Sequence, residues 1–202
     1  GEAAAALEQF TTDQLIEISS NAGRIFMNET LPVGDNGATQ TPEEYISTLS
    51  STTGLPYSLC RFNLQKIEHV ITNLSTILKG LTRGLPTKIF DEHIIQVDGI
   101  DVCYFPAADS VGTVLPSNAP AVNSLWAPAI AMKVPVILNP GREDPWTPFS
   151  LIQAYITAGA PAEAFGFYPT DHEGSDTILN TCSRGIVFGG DDTVSKYESN
   201  PN

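Results

Sequence analysis

Val111-Gly112-Thr113-Val114-Leu115 runs into Pro116-Ser117-Asn118-Ala119-Pro120, and this stretch decides how the chain is read. The first five residues are a short apolar strand. An apolar helix around Trp126, Ile130 and Met132 follows, and Val134-Pro135-Val136-Ile137-Leu138 makes a second strand ending at Asn139-Pro140-Gly141. A helix through Leu151, Ile152, Tyr155 and Ile156 leads to a third strand, Phe165-Gly166-Phe167-Tyr168. Gly185-Ile186-Val187-Phe188 is a fourth, ending at Gly189-Gly190. Short buried strands alternating with helices predict an α/β fold with a parallel sheet and right-handed crossovers. Ligands bind such sheets just beyond the carboxyl ends of the strands, the edge that carries Asn118, Asn139 and Gly189-Gly190.

Upstream, the first 85 residues read as helical. Thr11-Thr12-Asp13-Gln14 caps a helix bearing Leu15, Ile18, Ala22 and Ile25. Thr41-Pro42-Glu43-Glu44 is a stronger start signal, with Thr at the cap, Pro in the first turn and Glu three residues on. Residues 31–40 between them form a Gly/Asn/Asp-rich loop. Cys60, Leu64, Ile67, Ile71, Leu74 and Leu78 recur at steps of three and four, which predicts one long helix with Gly80 as its stop. Ile94-Ile95-Gln96-Val97 and Ile100-Asp101-Val102-Cys103-Tyr104 flank Asp98-Gly99, a strong two-residue hairpin signal. The expected organisation is a helical segment over 1–88 packing on a sheet region over 89–202.

Composition excludes several classes. The net charge is −13, and the ten Lys and Arg residues are scattered, against clustered phosphate contacts with nucleic acid. With 42% hydrophobic residues the chain is globular, and its longest apolar run falls short of the ~20 residues that a membrane helix needs. No secretory leader is legible at the start. Three cysteines, 43 and 79 residues apart, make neither a disulfide framework nor a zinc site, which fits a reducing cytoplasm. His172, amid Asp171, Glu173 and Asp176, reads as a solvated acidic loop rather than a metal site. No G-x-G-x-x-G, G-x-x-x-x-G-K-[ST] or G-x-S-x-G is present.

The strand ends resemble the cofactor-binding half of the aldehyde dehydrogenase superfamily. Pro116-Ser117-Asn118-Ala119-Pro120 is similar to its Pro-Trp-Asn-Phe-Pro segment, and Leu138-Asn139-Pro140-Gly141 sits where the family has a strand ending in Lys-Pro-Ser. Ala158-Gly159-Ala160-Pro161 resembles its Ala-Gly-Leu-Pro turn, and Ile186-Val187-Phe188-Gly189-Gly190 its Phe-Thr-Gly-Ser segment. The Gly-Gly-Asp ending is closer to the acyl-CoA reductase branch. Order and spacing agree over about 80 residues, on the alternating pattern of such folds.

The resemblance implies a Rossmann-like domain binding NAD or NADP, part of an oxidoreductase acting on a small-molecule aldehyde or acyl thioester. It implies that Asn118 donates its amide to the oxyanion of a tetrahedral intermediate. The cofactor would be lined by Leu115, Pro116, Ser117, Asn139, Pro140, Gly141, Arg142, Phe188, Gly189, Gly190 and Asp191, with a helix dipole starting at Asp191. It implies a homo-oligomer in which a ribbon like that at Asp98-Gly99 helps subunits pair; an ordinary surface hairpin is the other reading. From local sequence alone, Asn118 reads as a helix N-cap, and Gly189-Gly190 as a turn with no ligand.

Three departures bear on activity. Asn139 replaces the family's Lys, which holds the adenosine ribose. Arg142 displaces the acidic residue shortly after it, with Glu143 and Asp144 behind. Asp191 replaces a hydroxyl residue beside the phosphates. The family's nucleophilic cysteine and glutamate base lie in a region following these strands, and none of Cys60, Cys103 or Cys182 holds the nucleophile's place. The resulting alternatives are the cofactor-binding portion of an oxidoreductase, inactive by itself, and a non-catalytic nucleotide-binding or degenerate module.

Overall fold

The computed structural model describes residues 1–34, 36–190 and 195–197, so Asp191 lies outside the described residues. In chain order the elements are α1 (Glu2–Leu7), α2 (Thr12–Asn28), β1 (Leu31–Pro32), β2 (Thr39–Gln40), α3 (Pro42–Thr53), α4 (Tyr57–Thr72) and α5 (Leu74–Leu81). Then come α6 (Ile89–Glu92), β3 (Ile94–Val97), β4 (Ile100–Cys103), β5 (Val111–Val114), a 3-10 helix (Pro120–Leu125) and α7 (Ala127–Ala131). The chain continues through β6 (Val136–Asn139), α8 (Trp146–Thr157), a 3-10 turn (Ala162–Ala164), β7 (Phe165–Phe167), α9 (His172–Thr181) and β8 (Arg184–Val187).

The fold is the expected one: helices, a hairpin, then a parallel sheet flanked by helices. The sheet order is β7-β6-β5-β8, every pairing parallel. Strand β8 therefore returns to the far side of β5, and the order reverses between them. That reversal opens a crevice beyond the carboxyl ends of the strands.

Both expected capping boxes form. Thr11 accepts from the Gln14 N–H while Gln14 reaches back to Thr11, and Thr41 and Glu44 do the same at α3. Asp98 and Gly99 both take positive φ, at 50° and 80°, as a type I′ hairpin requires.

One hydrophobic core joins the two halves. Leu15, Ala22 and Phe26 of α2 meet Leu64, Ile67 and Ile71 of α4, and continue into Trp126, Leu138, Leu151 and Tyr155 around the sheet. Gly23 allows the approach of α2 to α4, since a Cβ there would sit 2.9 Å from Cγ1 of Ile71. A Leu buried in such a core contributes about 1.5–3 kcal/mol by burial.

Five expectations are corrected. The single long helix is two, broken at Asn73, whose backbone takes φ −110°, ψ 20° and whose side chain donates to the His69 carbonyl. The apolar stripe survives the break; Cys60, Leu64, Ile67, Ile71, Leu74 and Leu78 are all buried. Gly80 falls inside α5, and Gly84, at φ 86°, closes the turn by donating to the Lys79 carbonyl. The helix after Pro120 starts as a 3-10 helix and becomes α-helical only at Ala127. Residues 172–176 are not a loop but the first turns of α9, capped by the Asp171 side chain on the Gly174 N–H. Residues 31–40 close on themselves through a short β1–β2 ladder.

Candidate functional site

The carboxyl ends of β5, β6 and β8 border an open cleft of about 960 Å³. Its walls include Leu115, Pro116, Ser117 and Asn118 after β5, Asn139, Pro140, Gly141 and Arg142 after β6, and Phe188 and Gly189 after β8. Every candidate residue named from sequence lines this cleft except Gly190 and Asp191; Asp191 lies outside the described residues. Residues some 70 apart in the chain converge because parallel strands place like ends together. Leu115 N–H donates to the Asn139 carbonyl, and Phe188 N–H to that of Val114, so the three strand exits are tied edge to edge.

The loop after β6 is held rigidly. A Cβ on Gly141 would lie 2.5 Å from the Pro116 carbonyl carbon and the Ser117 nitrogen, so glycine alone fits against that backbone. Ser117 Oγ accepts from the Glu143 N–H at 3.2 Å, and Asp144 N–H donates to the Gly141 carbonyl. Asp144 is buried just ahead of α8 and accepts from the Thr147 N–H in its first turn at 3.0 Å and from the Thr147 hydroxyl at 2.7 Å. The Thr147 hydroxyl also bonds Tyr45 of α3, 2.6 Å away. Burial pushes the Asp144 carboxyl up to about 6, and the two Thr147 donors only partly offset it.

Asn118 is exposed at the mouth of the cleft, and no protein group hydrogen-bonds its side chain among the described residues. The alternative of an N-cap does not hold. The following 3-10 helix is capped at Ala119, with no side-chain capping bond. Asn118's amide therefore remains free for a ligand.

Asn139 is the opposite case. Strand alternation turns it toward α9, where its Nδ2 donates to Ser175 Oγ at 2.6 Å and its Oδ1 accepts from the Thr170 N–H at 3.3 Å. Ser175 passes the chain on to the Asp171 carbonyl at 2.9 Å. Both ends of the amide are occupied, and the side chain acts as a clamp between β6 and the start of α9.

Sequence reasoning missed the α9 contribution to the cleft: Thr170, His172 and Ser175. The signal present was Asp171, a favoured cap residue just before an apolar stripe. The pairing of Ser175 with Asn139, 36 residues away, leaves no local trace. A second cavity of about 350 Å³ sits at the opposite edge, near the start of β5, but it is mostly apolar and far from the strand exits where ligands of such sheets bind.

The size of the cleft, its place at the reversal of strand order and its free amide fit a dinucleotide. Leu115 to Asn118, Gly141, Arg142 and the Phe188–Gly189 backbone are the groups that would hold it.

No family model and no curated protein matches this sequence. Solved structures do resemble its fold. An NAD-dependent benzaldehyde dehydrogenase from Corynebacterium glutamicum superposes with TM-score 0.68 at 16% identity, over 96% of this chain and 39% of that one. A gamma-glutamyl phosphate reductase from Thermotoga maritima gives 0.69 at 15% identity, over 98% and 49%. A succinic semialdehyde dehydrogenase from Streptococcus pyogenes, in complex with NADP+, gives 0.65 at 11% identity, over 98% and 41%. The chain thus spans less than half the length of each. Its fold is that of the amino-terminal portion of aldehyde dehydrogenase-family structures, as the motifs at the strand ends implied.

Proposed function

We propose that this chain is the NAD(P)-binding portion of an aldehyde dehydrogenase-like or acyl-CoA reductase-like oxidoreductase. The carrying observation is the free Asn118 amide at the mouth of a cleft where the strand order reverses. A fixed amide donor stabilises a developing oxyanion by about 3 kcal/mol. In the complete enzyme, a cysteine thiolate outside these residues attacks the carbonyl of a small-molecule aldehyde or acyl thioester. Asn118 donates to the oxygen that becomes negative. A bound nicotinamide supplies the hydride acceptor or donor. Pro116, Ser117, Gly141 and the Gly189-Gly190 backbone shape the nucleotide site.

The same reading places the protein in the cytoplasm, in line with three unpaired cysteines, and makes it a homo-oligomer. Ile94 and Ile100, exposed on the β3–β4 hairpin, are the apolar surface that pairing would cover. No helix among the described residues is long and apolar enough to cross a membrane.

A non-catalytic nucleotide-binding module is favoured by one observation. Asn139 stands where the resembled family has its ribose-binding Lys, and its amide is already spent on Ser175 and Thr170. The two readings separate by experiment. The 202-residue chain is titrated with NADPH and NADH by nicotinamide fluorescence, with saturable binding expected. In the complete gene product, cofactor turnover with an aldehyde should fall about a hundredfold in Asn118→Ala. Binding without turnover selects the non-catalytic module, and no binding overturns both readings.

A further inference from the structure

We propose that the cavity of about 350 Å³ at the amino edge of the sheet is a binding site for a small organic cation, a quaternary or alkylated ammonium ion. The inference does not rest on the nucleotide site. Four rings line this cavity: Phe90 of α6, His93 just after it, and Tyr104 and Phe105 just after β4. The β3–β4 hairpin brings them together, its ladder extended by the Tyr104 N–H, which donates to the His93 carbonyl at 2.8 Å. Phe90 and Tyr104 meet edge to face with ring centres 6.1 Å apart, and His93 stacks on Phe105 at 5.8 Å. His93 holds φ 60°, a left-handed backbone that costs any residue with a side chain. Phe105 is itself exposed, an apolar surface that a ligand in the cavity would partly cover.

The charge of the site selects the class of ligand. Aromatic faces carry negative potential, and a cluster of them takes up an ammonium ion whose charge lies under methyl groups. The polar end of the cavity has the same sign. Lys133 lies 2.8 Å from Asp91 and 3.2 Å from Glu8, so one cation is set against two carboxylates and the group carries −1. Lys133 and Glu8 both line the cavity, but the Lys133 side chain is 7% exposed and that of Glu8 52%, so the carboxylate is the more accessible of the two. The chain as a whole carries −13, which adds attraction at longer range.

Other classes fit less well. A carboxylate or phosphate ligand meets repulsion from the same charges. A hydrated metal ion would shed its water against Ala129, Met132 and the rings, with no set of oxygen ligands to replace it. A quaternary ammonium brings its own apolar shell and sheds little water. The volume falls within the range of about 300–1,000 Å³ usual for small-molecule sites.

Choline and its uncharged isostere, 3,3-dimethyl-1-butanol, are titrated into the 202-residue chain and followed by backbone amide NMR shifts. Choline should give saturable shifts within residues 104–111 and 129–134, with a Kd about tenfold below that of the alcohol. Phe105→Leu keeps an exposed apolar side chain but removes one ring. It should cut choline affinity about threefold to fivefold and leave both alcohol binding and the thermal melt unchanged. Glu8→Gln removes one of the two carboxylates and should weaken choline alone. Binding of the alcohol as tight as that of choline would make the cavity a merely apolar pocket and overturns the proposal. A choline preference that survives both variants, choline shifts confined to the cleft at Asn118 and Gly141, or no saturable shift from either probe overturns it as well.

Discussion

The amino and carboxyl edges of the parallel sheet each enclose an aspartate, half-buried Asp91 and buried Asp144, and they hold it by opposite means. At the amino edge, Asp91 meets the Lys133 ammonium at 2.8 Å and accepts from the Thr12 N–H and hydroxyl at 2.9 and 3.0 Å. Lys133 also reaches Glu8, 3.2 Å away. Burial pushes the Asp91 carboxyl up, but Lys133 and Thr12 outweigh it and hold the group below its ordinary range. At the carboxyl edge, Asp144 has only neutral donors from Thr147, and burial wins, raising it to about 6. One edge is a closed ionic seam that joins α1, α2 and α6 to the turn before β6. The other is a hydrogen-bonded support under the loop that carries Arg142. A cation within reach decides whether a buried carboxyl stays charged.

The sharpest way to break this contrast is Lys133→Met. The apolar stem is kept, but half-buried Asp91 loses its cation. Breaking such a pair costs about 3–5 kcal/mol, read as a lower urea midpoint. A loss under about 1 kcal/mol would mean that the amino edge does not depend on its ion pair and that the two edges are alike.

The titration signs of the two edges are opposite. Asp91, lowered in the fold, contributes stability that is fully present above its unfolded value near 4 and is lost as pH falls from there through its lower folded value. Asp144, raised in the fold, binds a proton that the unfolded chain has released. Its contribution is therefore fully present below about 4 and is lost as pH rises through about 6. Asp144→Asn keeps an acceptor for Thr147 but removes the titration. Relative to the parent, this variant should gain up to about 3 kcal/mol between pH 4 and pH 7, measured by urea unfolding at each pH. A pH-independent difference would show that Asp144 is not held neutral by burial.

A smaller effect sharpens the picture of the carboxyl edge. Gly141→Ala forces a Cβ into the Pro116–Ser117 backbone and should cost about 2 kcal/mol of stability. It should also weaken NADPH binding, since the strand exits must separate. Unchanged stability in a thermal melt would show that the two loops are not in fixed register.

Much of the contrast was legible in advance, but unevenly. The strand–helix alternation, both capping boxes and the Asp98-Gly99 hairpin depend on residues within a few positions of one another, where period and cap chemistry act. The helix break at Asn73 was hidden because the apolar stripe runs through it unchanged; only the side-chain bond to His69 marks it. The site was half visible. Asn118, Gly141 and Gly189 stood at strand ends, where a parallel sheet must open. The charges of Arg142, Glu143 and Asp144 were equally visible, yet nothing local says which of the three lines the cleft.

By itself the sequence determined the α/β order of elements, the capped helix starts, the hairpin and the list of residues at the strand exits. Each of these is set by short-range sterics, hydrogen-bond chemistry and hydrophobic period. Tertiary structure alone decided that β8 lies beside β5 rather than β7, that Asn139 clamps Ser175 while Asn118 is left free, and that Asp91 is paired with Lys133 while Asp144 is buried with neutral donors. Apart from the Asp144–Thr147 bonds, three positions apart, those outcomes rest on contacts between residues from about 30 to more than 70 positions apart, whose energies depend on burial and on which charge arrives within a few ångströms.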